Sequence, residues 1–164
     1  IALARALILR PDLVIADEPL SALDVSVQSQ IINLLADLKK THHLTFMIIS
    51  HDLSVVSHIS DRVIVMYKGR IIESASTESL FQNPYHPYTQ SLLAAAPRLR
   101  GNRRRQSGHR AKITEVRQRV QTGCSFAPRC QKVQEICGLA PPRLESAPNA
   151  HDSHQVACHL PSLP

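Results

Sequence analysis

The first hundred residues alternate between short apolar runs and longer segments with helical spacing. The first run, Leu13 to Ala16, is continuously apolar and ends at two adjacent carboxylates, Asp17 and Glu18, before a proline. Such a run predicts a strand buried on both faces, as in parallel sheets that are covered by helices. A second run, Thr45 to Ser50, predicts another buried strand of the same kind.

The segment between these two strands has the apolar spacing of an amphipathic helix. It predicts a helix from Val25 to Lys40 with Asp24 as its N-cap, and two lysines lie near the negative end of the helix dipole. The apolar side chains of this predicted helix lie on one face, and they are Val27, Ile31, Leu34, Leu35 and Leu38.

The pattern continues with shorter elements up to residue 96. Asp52 is predicted to cap a short helix that runs to Ile59. The turn Lys68-Gly69 between two apolar runs predicts a hairpin at a sheet edge. The predicted hairpin strands are Arg62 to Tyr67 and Arg70 to Glu73, and the predicted helices that follow are Ser76 to Gln82 and Tyr88 to Ala96. This order of elements predicts an α/β fold with an incomplete sheet.

Charge divides the 164 residues into unequal parts. Residues 1–97 carry seven Lys/Arg against nine Asp/Glu, a net charge of −2, whereas the remainder carries twelve against four, a net of +8. Nine of those twelve cations fall within residues 98–119. We therefore predict three parts, which are an α/β part over 1–97, a basic linker over 98–120 and a cysteine-containing module over 121–164.

Polar groups at the ends of the two buried strands are candidates for phosphate chemistry. Open α/β sheets bind ligands at the carboxyl ends of their strands, where Asp17 and Glu18 fall. One carboxylate there can help to hold Mg²⁺ while its neighbour orients the attacking water, so we assign the metal to Asp17 and the water to Glu18. His51 follows the second strand and can reach the same crevice, where it would hydrogen-bond a transferring phosphate.

Taken together, these residues resemble the ABC-type ATPases. Leu13 to Glu18 resembles the Walker B motif with its catalytic glutamate, Ser21 to Asp24 resembles the D-loop, and His51 resembles the switch histidine. The resemblance implies ATP and Mg²⁺ as cofactors. It also implies a head-to-tail dimer with a second ATPase subunit, identical or related, which Ser21 and Asp24 would face.

The phosphate-binding half of such a site is not in this sequence. The five glycines do not form the pattern G-x-x-x-x-G-K-[ST], which cradles phosphates. The resemblance implies that this loop, the Q-loop and the signature motif would precede Ile1. We therefore expect the carboxyl-terminal part of an ABC nucleotide-binding domain, with a partial RecA-like P-loop core, and we expect this stretch alone to be inactive.

Residues 83–97 resemble one particular group within the ABC-type ATPases. The segment Asn83 to Gln90, which runs into Leu92 to Pro97, is similar to one in the ATP-binding subunits of dipeptide, oligopeptide and nickel importers. That likeness implies ATP hydrolysis coupled to import of peptides or a related solute. It further implies membrane permease subunits, an extracytoplasmic solute-binding protein and a peripheral position on the cytoplasmic face of the bacterial inner membrane.

Four cysteines make up a candidate metal site. Cys124, Cys130, Cys137 and Cys158 are spaced C-x5-C-x6-C-x20-C, and they lack the tight C-x2-C knuckles of many zinc sites. Four thiolates suit either Zn²⁺ or an iron-sulfur cluster, and free thiols or a disulfide are further alternatives. The segments around the first two and the last cysteine resemble the C-terminal module of peptide-importer ATPases, which implies a 4Fe-4S cluster.

A second class of function is an alternative to transport. DNA-associated ABC ATPases also combine Walker B with metal-binding cysteines, and the basic run could contact nucleic acid or anionic lipid. The run contains no aromatic residue that could stack on a base. Nucleic acid is therefore the weaker prediction, and a solvated linker the stronger one.

Overall fold

A computed structural model describes residues 2–21, 23–96, 122–148 and 153–161 of the chain. The chain divides into two compact units, Ile1–Ser60 and Asp61–Pro164. The basic run predicted as a linker lies outside the described residues, and the boundaries predicted at 97 and 120 stay predictions. Within the described part, no helix is long and apolar enough to cross a membrane.

The first unit alternates helices with two parallel strands. Its elements are α1 (Ala2–Ile8), β1 (Leu13–Asp17), α2 (Val25–His42), β2 (Thr45–Ile49) and α3 (Leu53–Ile59). The strands pair in parallel from Leu13 opposite Thr45 to Asp17 opposite Ile49. Both strands and both main helices lie where the apolar pattern predicts them, so the α/β class is confirmed.

The burial of β1 differs from the prediction. Val14 is 7% exposed, whereas Leu13 and Ile15 are 50% and 62% exposed. Because side chains alternate between the two faces of a strand, this pattern means that one face is covered and the other is open. The prediction of burial on both faces is therefore wrong for the described residues, where nothing covers the face that carries Leu13 and Ile15.

Helix α2 is also less buried than predicted. Of the predicted apolar face, Leu35 is buried, but Val27 and Leu34 are 37% and 44% exposed. Asp24 occupies the N-cap position as predicted, but its side chain makes no capping hydrogen bond there. Asp52 does cap α3, because its side chain accepts from the backbone N–H groups of Ser54 and Val55.

The second unit is built on an antiparallel sheet of four strands. Its elements are β3 (Arg62–Tyr67), β4 (Arg70–Ser76), α4 (Thr77–Gln82), α5 (Pro87–Ala95), a 3₁₀ turn (Ala127–Arg129), α6 (Ile136–Leu139), β5 (Glu145–Ser146) and β6 (Gln155–Val156). The strand order is β3-β4-β6-β5. The predicted hairpin turn is present, with Lys68 and Gly69 both left-handed at φ 47° and 76°. The sequence did not predict β5 and β6, which extend the hairpin to a larger sheet.

Glu73 lies at the centre of this unit. Its side chain is fully buried, and the residue lies on β4 between Ile72 and Ser74. Its carboxylate accepts hydrogen bonds from the backbone N–H groups of Tyr85 at 2.6 Å and His86 at 3.1 Å. The Nε2 atom of His154 lies 2.8 Å from the same carboxylate. Three partners therefore offset the cost of removing a carboxylate from water.

His86 is the second buried polar group of this centre. Its Nδ1 atom accepts a hydrogen bond from the backbone N–H of Tyr88 at 3.0 Å, which caps α5. Burial lowers the pKa of His86 to about 4 from 6.5, and the nearby Glu73 opposes this change only in part. The ring is therefore neutral near pH 7, as its acceptor role at Nδ1 requires.

We predict that acid destabilises this unit through His86. The folded pKa lies below the unfolded one, so the stability is complete above pH 6.5 and falls as the pH drops towards about 4. The expected loss in the free energy of unfolding is about 3 kcal/mol at 1.36 kcal/mol per pKa unit. Urea unfolding monitored by tyrosine fluorescence measures it, because Tyr67, Tyr85 and Tyr88 all lie in this unit.

The matched variant is His86→Asn, which keeps a side-chain acceptor at the N-cap and does not titrate. It should flatten the loss of stability between pH 6.5 and 4, whereas His58→Asn changes an exposed histidine of the other unit and should not. An unchanged slope in His86→Asn would contradict this assignment.

Candidate functional site

The carboxylate pair lies where the first parallel strand ends. Asp17 is the last residue of β1, and the backbone N–H of Glu18 donates to the carbonyl of Ile49 at the end of β2 at 2.9 Å. Glu18 has a φ of 46°, in the left-handed region that residues other than glycine rarely adopt. The same conformation occurs at turns or helix ends in Arg10, His43 and Lys68. The strain at Glu18 therefore agrees with a functional site but does not identify one.

His51 meets Glu18 across the ends of the two strands. Its Nδ1 atom lies 2.7 Å from Oε1 of Glu18, and the side chains are 76% and 41% exposed. The structure thus brings together two residues that are 33 positions apart. A carboxylate only accepts hydrogen bonds, so Nδ1 carries the hydrogen, and Nε2 is the ring nitrogen that Glu18 does not engage.

This contact changes the protonation of the imidazole. The hydrogen bond to Glu18, and then its charge, raise the pKa of His51 above its usual value. The attraction between the protonated imidazole and the Glu18 carboxylate is therefore lost as the pH rises through this raised pKa. A histidine tuned in this way can exchange a proton near physiological pH.

The loop after Glu18 is held by hydrogen bonds to its backbone. Ser21 donates from Oγ to the carbonyl of Glu18 at 3.0 Å, so its hydroxyl stabilises the turn. Gln28 donates from its side-chain amide to the carbonyls of Leu20 and Leu23, each at 3.0 Å. Sequence reasoning missed Gln28. The sequence did offer a signal for this role, because Gln28 lies one turn into α2, where its side chain can reach back to the preceding loop.

Asp17 and Glu18 have the chemistry of a magnesium and water site. Both are exposed, and Mg²⁺ commonly takes one or two protein carboxylates while keeping several of its waters. In the described parts of the chain, no group of three or more His, Cys, Asp or Glu side chains is arranged to hold a metal ion. Asp17 therefore fits Mg²⁺ as a single carboxylate ligand, with the remaining ligands from water and phosphate.

All four cysteines line one cavity in the second unit. They share its wall with His86, Phe126 and His159, among others, and the cavity has a volume of about 20 Å³. This volume is close to that of a single water molecule or ion. All four thiols are free, and a backbone hydrogen bond of 2.8 Å joins Cys124 to Cys137. The structure therefore assembles residues that the sequence distributes over 35 positions.

Burial affects the chemistry of these thiols. It raises the pKa of Cys130 and of Cys158, and the neighbouring cysteines add to the effect. Both groups therefore favour the neutral thiol near pH 7. A metal ion binds the thiolate, so binding at this cavity would release protons and grow stronger with rising pH.

Aromatic rings close one side of the cysteine cavity. Phe126 lies on its wall and contacts Tyr67 edge-on at 5.3 Å and Tyr88 at 5.4 Å between ring centroids. The ring of His86 lies 5.7 Å from Phe126. The cavity is therefore bordered on this side by the rings of Phe126 and His86.

Comparison with known proteins finds one matching family and several proteins of similar sequence. The family described as "Oligopeptide/dipeptide transporter, C-terminal region" matches residues 72–137. The dipeptide transport ATP-binding protein DppF of Haemophilus influenzae is 51% identical over 161 residues, which is 96% of this chain and 47% of that protein. The oligopeptide transport ATP-binding protein AppF of Bacillus subtilis is 48% identical over 98% of this chain and 48% of its own length.

Two solved structures show a weaker similarity. CbiO1 from Clostridium perfringens, part of the ABC transporter complex CbiONQ, is 34% identical with a TM-score of 0.47, over 49% of this chain and 32% of that one. A putative metal-chelate type ABC transporter in an inward-facing conformation is 25% identical with a TM-score of 0.48, over 56% and 35%.

The sequence relatives cover this chain almost completely. DppF of Escherichia coli is a third, 46% identical over 96% of this chain and 46% of its own length. The chain thus spans about half the length of the curated relatives it matches. Over almost all of its own length, the chain is therefore similar to about half the length of ATP-binding proteins of dipeptide and oligopeptide transport, and residues 72–137 match the C-terminal region of oligopeptide/dipeptide transporters.

Proposed function

We propose that the complete protein is an ATP-hydrolysing subunit that powers import of peptides or a related solute through an ABC transporter. The contact between Glu18 and His51 at the carboxyl ends of two parallel strands carries this proposal. Open α/β sheets bind ligands at this edge, and the contact places a candidate base beside a candidate phosphate ligand. The names of the relatives, which are dipeptide and oligopeptide transport ATP-binding proteins, supply the solute class.

The roles of the side chains follow from their positions. Glu18 orients the attacking water and accepts its proton at the carboxylate. Asp17, one residue earlier at the end of β1, helps to hold Mg²⁺. The metal supplies positive charge that neutralises the phosphate oxygens when it is bound.

The two ring nitrogens of His51 have different proposed partners. Its Nδ1 atom holds the Glu18 carboxylate in place at 2.7 Å, which leaves Nε2 to hydrogen-bond the γ-phosphate. The raised pKa of His51 favours the protonated ring, so both nitrogens can donate at once. This pairing couples the orientation of the base to the presence of the phosphate.

The loop after Glu18 faces a second ATPase subunit, identical or related. Ser21 donates to the carbonyl of Glu18, and Gln28 donates to the carbonyls of Leu20 and Leu23, the latter directly before Asp24. The assembly would lie peripherally at the cytoplasmic face of the bacterial inner membrane. It would dock on permease subunits, to which an extracytoplasmic binding protein delivers the solute.

The cysteine cavity is the proposed site of a metal centre. Four free thiols line one small cavity, and although these side chains are not arranged to hold a metal ion in the described conformation, four thiolates are a donor set that suits Zn²⁺ or iron. The family resemblance favours a 4Fe-4S cluster, and four thiolates also suit Zn²⁺.

We predict that Glu18→Gln in the full-length protein retains ATP binding and loses steady-state hydrolysis. Gln keeps the size of the side chain but cannot accept a proton from water. Loss of a general base lowers kcat by on the order of 10²-fold to 10⁴-fold. A phosphate-release assay measures turnover, and equilibrium binding of a fluorescent ATP analogue measures affinity.

The matched control for this variant is Asp12→Asn. Asp12 is an exposed carboxylate just before the other end of β1, so the variant removes a similar charge away from the site. Turnover in Asp12→Asn should match the unmodified protein. Undiminished turnover in Glu18→Gln would remove Glu18 from its proposed role.

For the cysteine cavity, we predict one metal centre per chain after anaerobic purification. Elemental analysis with an absorption spectrum distinguishes Zn²⁺, which is colourless, from iron-sulfur, which absorbs visible light. Cys130→Ser should lower the metal content severalfold, since serine is a poor ligand for either centre.

His159→Gln is the control for the metal measurement, because it alters the same cavity wall without removing a thiol. Its metal content should stay within about twofold of the unmodified protein, since four cysteines suffice as ligands. A chain that binds neither metal when iron, sulfide and zinc are supplied would refute the metal site.

A further inference from the structure

Cys158 reaches the cysteine cavity from a different part of the chain than the other three cysteines. Cys124, Cys130 and Cys137 lie within 14 consecutive residues around the 3₁₀ turn and α6. Cys158 lies 21 positions beyond the last of them, in the segment 153–161. Its position in the cavity therefore depends on how that later segment is held.

The strand that carries this segment is too short to hold it alone. β6 is Gln155–Val156, and its ladder pairs only two residues with β4 and two with β5. The backbone N–H of Ala157 adds a bond to the carbonyl of Ile72 at 2.8 Å. A ladder of so few backbone bonds opens easily unless side chains anchor it.

A buried side-chain contact provides that anchor. His154 is 1% exposed, and its Nε2 atom lies 2.8 Å from Oε1 of Glu73, which is fully buried. The Nδ1 atom of His154 lies 3.0 Å from Oγ of Ser79 on α4. Both ring nitrogens are thus engaged by residues of the preceding hairpin and helix, four positions before Cys158.

A second side chain supports the same segment from β3. Arg62 donates to the hydroxyl of Ser153 and, at 3.2 Å, to its carbonyl. Ser153 is exposed, whereas His154 is buried, so the two contacts differ in strength. A buried hydrogen-bonded pair resists opening far more than an exposed one does, because water cannot replace its partners.

We propose that His154 is a positioning residue for Cys158. Its contact with Glu73 fixes β6 on β4 and thereby places the Cys158 thiol at the cavity beside the other three cysteines. The nucleotide site described above does not involve this pair. The positioning role stands on geometry alone, and its consequence for metal binding rests on the proposed metal site.

The first test measures thiol access in the metal-free protein. His154→Gln should raise the rate at which iodoacetamide labels Cys158 on the order of tenfold, since local opening exposes a thiol that is now half-buried. The labelling rates of Cys124, Cys130 and Cys137, read from the same digests by mass spectrometry, should change less than about twofold. Ser79→Ala removes only the contact at Nδ1 and should give a smaller increase, confined to Cys158.

Gln155→Ala is the control, because its side chain is exposed on the same strand next to His154. It should leave all four rates unchanged. An unchanged rate at Cys158 in His154→Gln would overturn the proposal. An equal acceleration at all four cysteines would also overturn it, because the pair would then stabilise the whole unit and not the placement of Cys158.

The second test measures binding of Co²⁺ alone, whose absorption reports the number of thiolate ligands. The unmodified protein should bind Co²⁺ with a four-thiolate spectrum, and His154→Gln should bind it at least about tenfold more weakly with a three-thiolate spectrum. Tight four-thiolate binding in the variant would refute the positioning role and leave the metal site standing. No binding by either protein, together with selective labelling of Cys158, would refute the metal site and leave the positioning role standing.

Discussion

The buried carboxylate of Glu73 is the constraint around which the second unit is organised. Its three partners come from segments that are separate in sequence, since Tyr85 and His86 precede α5 and His154 precedes β6. An uncompensated carboxylate at this depth would cost several kcal/mol, so none of these segments can leave without a penalty to the others. The hairpin, the start of α5 and the final strand are therefore held by one shared acceptor.

The regular elements of the first unit could be predicted because their signals are local. The strands β1 and β2 are apolar runs, α2 has helical spacing, and Asp52 caps α3 as its position before a short apolar helix predicts. The closeness of Glu18 and His51 followed from a single rule, that parallel strands end at the same edge. The exposure of Ile15 could not be predicted in this way. An apolar run shows that a strand can be buried, but it does not show which of its two faces is covered by other elements.

The second unit was harder to predict for a physical reason. β5 and β6 have two residues each, which is too short for any alternation to show, and they form only because a sheet edge is already present. The burial of Glu73 has no local signal either, since its hydrogen-bond partner His154 is 81 positions away. The spacing of the cysteines suggested a shared site, whereas their common cavity depends on contacts of this longer range.

The register between β1 and β2 also determines whether Glu18 and His51 can meet. Asp17 lies opposite Ile49 at the end of a ladder that runs in register over five residues, so Glu18 is the first residue beyond the ladder after β1 and His51 is the second after β2. A slip by one residue would turn every side chain of one strand to the opposite face and carry the imidazole away from the carboxylate. A single-residue insertion between 45 and 50 would therefore separate the His51 imidazole from the Glu18 carboxylate. The proposed site would then be lost although every proposed catalytic side chain is still present.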